Sequence, residues 1–241
     1  MTKVIICKDQ EEASDKAFEE FKQYLQAGKV LGLATGSTPL GLYARMIKDH
    51  KENKTSYKDI KSFNLDEYVG LPITHPESYY AFMHRNLFDQ IDIPEENTHV
   101  PSGLGDVETK AKEYEKMIDE CPVDCQILGI GSDGHIAFNE PGTSFDSPTH
   151  VTDLAESTIK DNARFFEYDT SKVPTQAVTQ GIGTIMKAKN IIIICTGKNK
   201  ANAAKAMLEG PISVKCPASI LQKHKSVTVI LDEETASLLK R

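Results

Sequence analysis

CQILGIGSDGHIAFNEPG, residues 125–142, decides how the rest of the chain is read. Residues 125–130 form an apolar run that reads as a buried strand. Behind it come Asp133, His135 and Glu140, three proton-handling side chains within eight residues. Gly129, Gly131, Gly134 and Gly142 surround them, with Pro141 beside the last. Glycine adopts backbone angles denied to other residues and lets a ligand approach the main chain. Polar groups delivered at the end of a buried strand are where open α/β folds put their binding sites. The stretch therefore reads as an active-site loop hung on a strand of an α/β sheet.

Working outward, the flanks supply the rest of such a sheet. On the N-terminal side, residues 4–7 are a short apolar run. In the next segment Ala13, Ala17, Phe18, Phe21, Tyr24 and Leu25 recur at helical spacing, and Gly28 suits the stop. Residues 30–34 (VLGLA) read as a strand, and 39–53 as a helix with proline allowed in its first turn. Residues 62–65 (SFNL) are a short strand, and 78–90 and 107–120 are helices. On the C-terminal side, 190–195 (NIIIIC) is the strongest strand signal in the chain. An alanine-rich helix over 200–208, a strand over 226–231 and a short final helix follow. Apolar strands alternating with helices predict a single α/β domain, residues 1–241, whose mostly parallel sheet is covered by helices on both faces. Residues 143–174 have weaker periodicity and read as a lid or an insertion.

Bulk properties narrow the function. A chain of 241 residues, 39% hydrophobic, can bury roughly 70% of its unfolded surface and folds without staples. With 28 basic and 35 acidic residues the formal charge is −7, which argues against a nucleic-acid partner. An anionic small substrate would need a few local cations against that background. The N-terminal apolar run is too short for a signal peptide, and the longest one near the other end, 191–195, is far below membrane-spanning length. Five cysteines lie scattered without metal-ligand spacing, as reduced thiols would. These features predict a soluble, cytoplasmic protein with no membrane partner.

Several stretches carry chemistry. Thr35-Gly36-Ser37-Thr38-Pro39 lies between a strand and a helix, where unpaired backbone N–H groups and the helix dipole attract phosphate. Gly36 lets the backbone come close, and the Ser37 and Thr38 hydroxyls can donate to phosphate oxygens. A plain helix cap explains the same residues equally well. Residues 129–134 match GxGxxG after a strand, the fingerprint of a dinucleotide site. However, HIAFNEPG cannot continue as the regular helix that the fingerprint opens, and no strand ending in an acidic residue follows shortly. Asp66 and Glu67 stand at the end of the SFNL strand. They read either as caps of the next turn or as a general base beside a carbonyl. An ordinary Asp is a weak base, so burial would have to raise it. Arg164 in NARFFE and Lys200 in TGKNKANA could complete an anion site, although isolated cations are usually solvated. No metal site is expected from the remaining histidines.

Taken together, residues 32–43 (GLATGSTPLGLY), 63–79 (FNLDEYVGLPITHPESY), 128–142, 162–166 (NARFF), 179–194 (TQGIGTIMKAKNIIII) and the TGKNKA segment resemble the glucosamine-6-phosphate deaminase family. The likeness runs from Val30 to about Asp232. It implies a modified Rossmann-like domain of the ribose-5-phosphate isomerase and 6-phosphogluconolactonase type. The implied activity converts D-glucosamine 6-phosphate and water into D-fructose 6-phosphate and ammonia, in amino-sugar and N-acetylglucosamine catabolism, with no cofactor. By resemblance Asp66 is the base that moves the C2 proton to C1. His135 is the ring-opening acid/base, oriented by Asp133 and Glu140. Gly36, Ser37, Thr38, Arg164 and Lys200 hold the phosphate.

One departure bears on regulation. Longer, hexameric members bind N-acetylglucosamine 6-phosphate through an arginine and a lysine two residues apart, downstream of the NEPG turn. This chain carries His150 and Thr152 there and ends at Arg241 without those members' C-terminal extension. The expectation is an enzyme without that activation, a monomer or small homo-oligomer. The rival readings are a 6-phosphogluconolactonase-like hydrolase, which has no use for a base at C2, and a non-catalytic sugar-phosphate sensor, which would need a DNA-binding segment.

Overall fold

The computed structural model describes residues 2–240; Met1 and Arg241, on which the readings of the two termini touch, lie outside the described residues. In chain order the elements are β1 (Thr2–Cys7), α1 (Gln10–Phe21), β2 (Val30–Leu33), α2 (Leu40–Asn53), β3 (Lys61–Asn64) and β4 (Asp66–Tyr68). Then come α3 (Tyr79–Asn86), β5 (Thr98–His99), α4 (Val107–Glu120), β6 (Cys125–Leu128), β7 (His150–Asp153) and α5 (Glu156–Asn162). The chain finishes with β8 (Gln176–Thr179), α6 (Ile182–Ile185), β9 (Ile191–Cys195), α7 (Ala201–Glu209), β10 (Val227–Asp232) and α8 (Glu233–Ala236).

Among the described residues seven strands form one sheet in the order β1-β10-β9-β6-β2-β3-β5, every pair parallel. Strands buried on both faces need apolar residues at every position, and β2, β6 and β9 are buried throughout. The helices meet the sheet through one face each. Asp9 caps α1 by accepting from the Glu12 N–H, and Ala13, Ala17 and Phe21 face inward. From α2 it is Leu42, Tyr43, Met46 and Ile47 that enter the core. Each fully buried side chain of the size of Phe21 or Leu42 contributes roughly 1.5–3 kcal/mol of transfer free energy. Strand β1 lies at the sheet's edge and leaves Val4 44% and Ile6 56% exposed.

The order of the strands places the site. From β2 the chain steps outward to β3 and β5, then returns to β6 on the other side of β2 and steps outward through β9 and β10. Connections that depart in opposite directions open a crevice at the carboxyl ends of β2 and β6. The loops there are 34–39 and 129–142.

A second, antiparallel sheet, β4-β8-β7, has no counterpart in the sequence reading. The chain leaves the large sheet at Leu65, whose N–H donates to Leu33 O and whose carbonyl accepts from Gln180 N–H. Asp66 then pairs with Thr179, which also opposes His150. Tyr68, Phe138, Leu154, Ala163, Phe166, Val173 and Ala177 form a small apolar cluster of their own beside it. Residues 143–174, read as lid or insertion, contain β7 and α5 and contribute four members of that cluster. Among the described residues no helix is long and apolar enough to cross a membrane.

Candidate active site

A cavity of about 210 Å³ opens at the switch point. Its walls bring together Gly36 and Thr38 after β2, Asp66 after β3, Gly131 and His135 after β6, Arg164 after α5 and Lys200 after β9. Residues from five separate sequence segments thus meet in one place. Ser37 is exposed between Gly36 and Thr38 and is not part of the lining, and Asp133 and Glu140 stand behind His135 rather than in the wall. A larger groove, about 920 Å³, runs along the β1 edge with mainly apolar walls and holds none of these groups.

The loop 129–142 is built around His135. Asp133 accepts from the His135 N–H at 3.0 Å, and its Oδ1 lies 2.7 Å from His135 Nδ1. Glu140 Oε2 approaches the same nitrogen at 3.6 Å. Two carboxylates on Nδ1 leave Nε2 as the ring nitrogen available to the cavity. The bond to His135 holds Asp133 well below the usual carboxylate range, against the desolvation that opposes it. Two glycines permit this packing. A Cβ on Gly131 would sit 2.2 Å from the His135 ring, and one on Gly134, where φ is +90°, would sit 2.6 Å from Cys216 Sγ. The far half of the loop is pinned through buried Asn139, whose Nδ2 donates to Ile136 O and Gln180 O. Ala137 takes a left-handed φ of +52°, a conformation costing on the order of 1 kcal/mol and found most often where function over-determines the backbone.

The two neighbouring carboxylates at 66 and 67 have separated fates. Glu67 caps α3: Oε1 accepts from the Tyr68 and Tyr79 N–H groups and Oε2 from Tyr80 N–H. Asp66 turns into the cavity and is 6% exposed. Desolvation, with a smaller contribution from Glu67, pushes its carboxyl from the ordinary 3.8 to about 8. The condition for a useful general base, a pKa raised toward the working range, is met.

The cations lie along one side. Lys200 ends the 3₁₀ turn Lys198–Lys200 and caps α7. Burial lowers its pKa, with Asp161 opposing that shift. The turn after β9 is held by Asp232, which accepts from Gly197 N–H and Thr235 N–H, both at 2.8 Å. Arg164 is exposed, its guanidinium 4.7 Å above the Phe165 ring. Gly36, at a φ of +85°, turns the chain between β2 and α2. Backbone amides, a lysine and an arginine in the wall of one cavity suit a phosphate. A buried base and an oriented imidazole in the same cavity suit proton transfers on the molecule that carries it.

Sequence reasoning missed Tyr68, Tyr79, Phe138, Thr158 and Phe166, which also line the cavity. Tyr79 and Phe138 stack with 7° between ring planes. Tyr68 and Phe138 belong to the NLDEY and FNEPG segments, which is their only local signal; Thr158 carries none. Among the described residues Asp133, His135 and Glu140 are also the one group whose donor atoms converge within 4.8 Å, close enough for a metal. The Asp133 carboxylate already engages Nδ1 at 2.7 Å, an arrangement suited to proton handling.

Comparison with known proteins shows the family. A family profile described as glucosamine-6-phosphate isomerases/6-phosphogluconolactonase matches residues 8–230. The glucosamine-6-phosphate deaminase of Streptococcus uberis is 51% identical over 239 residues, covering 98% of this chain and 99% of that protein. Its counterpart in a Thermoanaerobacter species is 47% identical over 241 residues, covering 98% and 95%. A solved monomeric glucosamine-6-phosphate deaminase superposes with a TM-score of 0.95 at 43% identity, covering 98% of this chain and 99% of the other. The 6-phosphogluconolactonase of Trypanosoma cruzi superposes at 0.80 with 24% identity over 100% and 98%, a likeness of fold alone.

Proposed function

The chain belongs to the family of glucosamine-6-phosphate isomerases and 6-phosphogluconolactonases, and within it we propose that this protein is a deaminase of D-glucosamine 6-phosphate. It converts that sugar and water into D-fructose 6-phosphate and ammonia. The observation that carries this choice over the lactonase is Asp66, a buried carboxylate raised to about 8 in the same cavity as an oriented histidine. Lactone hydrolysis needs activated water and no base at C2.

In this reading the phosphate sits against the backbone amides of 36–38 and the Thr38 hydroxyl, with Arg164 and Lys200 supplying the charge. Binding energy gained there, away from the reacting carbons, positions the sugar for both proton transfers. His135 Nε2 moves a proton between the anomeric hydroxyl and the ring oxygen, which opens the ring to an aldehyde. Asp133 and Glu140 fix the imidazole and offset the positive charge it gains. The aldehyde at C1 acidifies the C2 proton. Asp66 takes it, giving an enol, and returns it to C1, while an amine N–H proton passes to the C1 oxygen, so that C1 becomes a hydroxymethyl group and C2 an imine. Water adds to that imine, and the resulting carbinolamine expels ammonia. No step calls for a cofactor.

Residues 143–174 act as the lid of this site, and residues 1–241 work as one domain. The setting is the cytoplasm and the catabolism of amino sugars such as N-acetylglucosamine, formally a hydrolytic deamination. The test is release of ammonia from glucosamine 6-phosphate, with glucosamine, N-acetylglucosamine 6-phosphate and 6-phosphogluconolactone as controls. Release from the first alone is the expected result. Hydrolysis of the lactone without ammonia release would replace the reading.

A further inference from the structure

Helix α5 touches the chemistry at two points on one face. Thr158 and Asn162 are four residues apart and so project from the same side. The Thr158 hydroxyl donates to Glu140 Oε1 at 2.5 Å. Asn162 Nδ2 donates to the hydroxyl of Tyr68 at 2.8 Å, in the strand that begins with Asp66. The turn immediately following the helix, Ala163–Phe165, presents Arg164 to the same cavity.

Glu140 has few other means of holding its carboxylate still. Its side chain is largely buried, and Oε2, shielded from water, has no hydrogen-bond partner. Oε2 instead faces His135 Nδ1 from 3.6 Å. A carboxylate tethered through one oxygen directs the other; released from the tether, it turns about its terminal torsion, which is broad for glutamate. A hydrogen bond to a charged acceptor in partly buried surroundings is worth more than a neutral one, and leaving that acceptor unpaired is costly.

We propose that Thr158 is a positioning residue for the histidine loop: its hydroxyl fixes Glu140 so that Oε2 faces His135, and it ties that alignment to the seating of α5. Through Arg164, one turn further on, the seating of α5 is joined to the phosphate end of the cavity. A phosphate on Arg164 and a correctly aimed Glu140 then favour the same position of one short helix. This rests on the reading of His135 as the ring-opening group.

The experiment compares Thr158→Val and Thr158→Ser in the wild-type and Glu140→Gln backgrounds, following ammonia release from glucosamine 6-phosphate. T158V keeps the shape and loses the donor; T158S keeps the donor. T158V should lower kcat about tenfold with KM changed less than about twofold, and T158S should stay within about twofold of wild type. In the E140Q background T158V should add less than about a twofold loss, since the hydroxyl acts through the carboxylate. T158A, which has no branched side chain to misfit, serves the same comparison should T158V fold poorly. Full activity in the donor-less variants, equal impairment of T158S, or an undiminished loss in the E140Q background would overturn the inference. Wild-type protein that releases no ammonia would instead overturn the functional reading on which it rests.

Discussion

Asp66 and Glu67 are adjacent, chemically alike and both buried, yet their surroundings assign them opposite work. Three backbone N–H groups hold Glu67 as a helix cap. Asp66 is instead desolvated in the cavity and titrates near 8. The folded protein therefore keeps a proton on Asp66 between the ordinary 3.8 and about 8, where the unfolded chain has lost it. Stability from this group is full below the unfolded value and is lost as pH rises through the folded one. Asn is neutral throughout, so Asp66→Asn should stabilise the fold at pH 9 by on the order of 1–3 kcal/mol and change little at pH 4. Urea midpoints at the two pH values measure this, and an unchanged midpoint at pH 9 would remove the claim of a desolvated carboxylate. The same variant should slow exchange of the C2 proton with solvent deuterium by at least about a hundredfold while KM moves little. In the wild type, kcat/KM should climb through neutrality with its acid limb near 8; a limb near 4 would show that another group acts as the base.

At the scale of elements, the loop after β6 depends on what lies under it. Gly134 N–H donates to Gly131 O, and Gly134 O accepts from Ala218 N–H at 2.9 Å, so the turn carrying Asp133 and His135 rests on the 213–219 segment. Gly134→Ala places a methyl against Cys216 at a φ of +90°. The expected cost is about 2–4 kcal/mol in urea unfolding, with a matching fall in kcat. Cys216→Ala in that background should recover part of the loss by clearing the thiol while leaving the backbone strain. A G134A protein of wild-type stability would mean the turn re-forms elsewhere. The large sheet is legible in the sequence for a simple reason: strands covered on both faces, such as IIIIC in β9 and VLGL in β2, are unbroken apolar runs. The antiparallel sheet is not. DEY, QAVT and HVTD are short and polar, and their apolar neighbours Phe138, Leu154 and Phe166 come from distant segments. The glycines and acids of the loop announced a site at once, whereas Thr158 did not, because one threonine in a short helix carries no local signal. Which carboxylate of the DE pair is free was equally hidden, being decided by α3 arriving on Glu67 from twelve residues away.

For the whole molecule, the decisive fact is that Asp66, His135, Arg164 and Lys200 of one chain line one cavity. On the proposed roles, a single chain supplies the base, the imidazole and both cations. Homotropic cooperativity is a coupling free energy between sites, and a site complete within one chain does not depend on a neighbour to form it. Heterotropic activation requires a second site whose occupant favours one state of the first. The resemblance implies that in longer members of the family that occupant's phosphate meets an arginine and a lysine. Here the matching positions lie on β7, where His150 Nδ1 is 2.7 Å from Pro148 O and the Thr152 hydroxyl donates to Asp153 O at 3.3 Å. Neither side chain offers the fixed charge that pairs with a phosphate. We therefore expect a hyperbolic dependence of rate on glucosamine 6-phosphate, unchanged by saturating N-acetylglucosamine 6-phosphate, and the mass of a monomer or small homo-oligomer by light scattering at assay concentrations. A sigmoidal curve that N-acetylglucosamine 6-phosphate makes hyperbolic would overturn both parts of the argument. His150→Arg with Thr152→Lys should still leave the curve hyperbolic, because charge at that strand can supply affinity for the effector without supplying a second state for it to select.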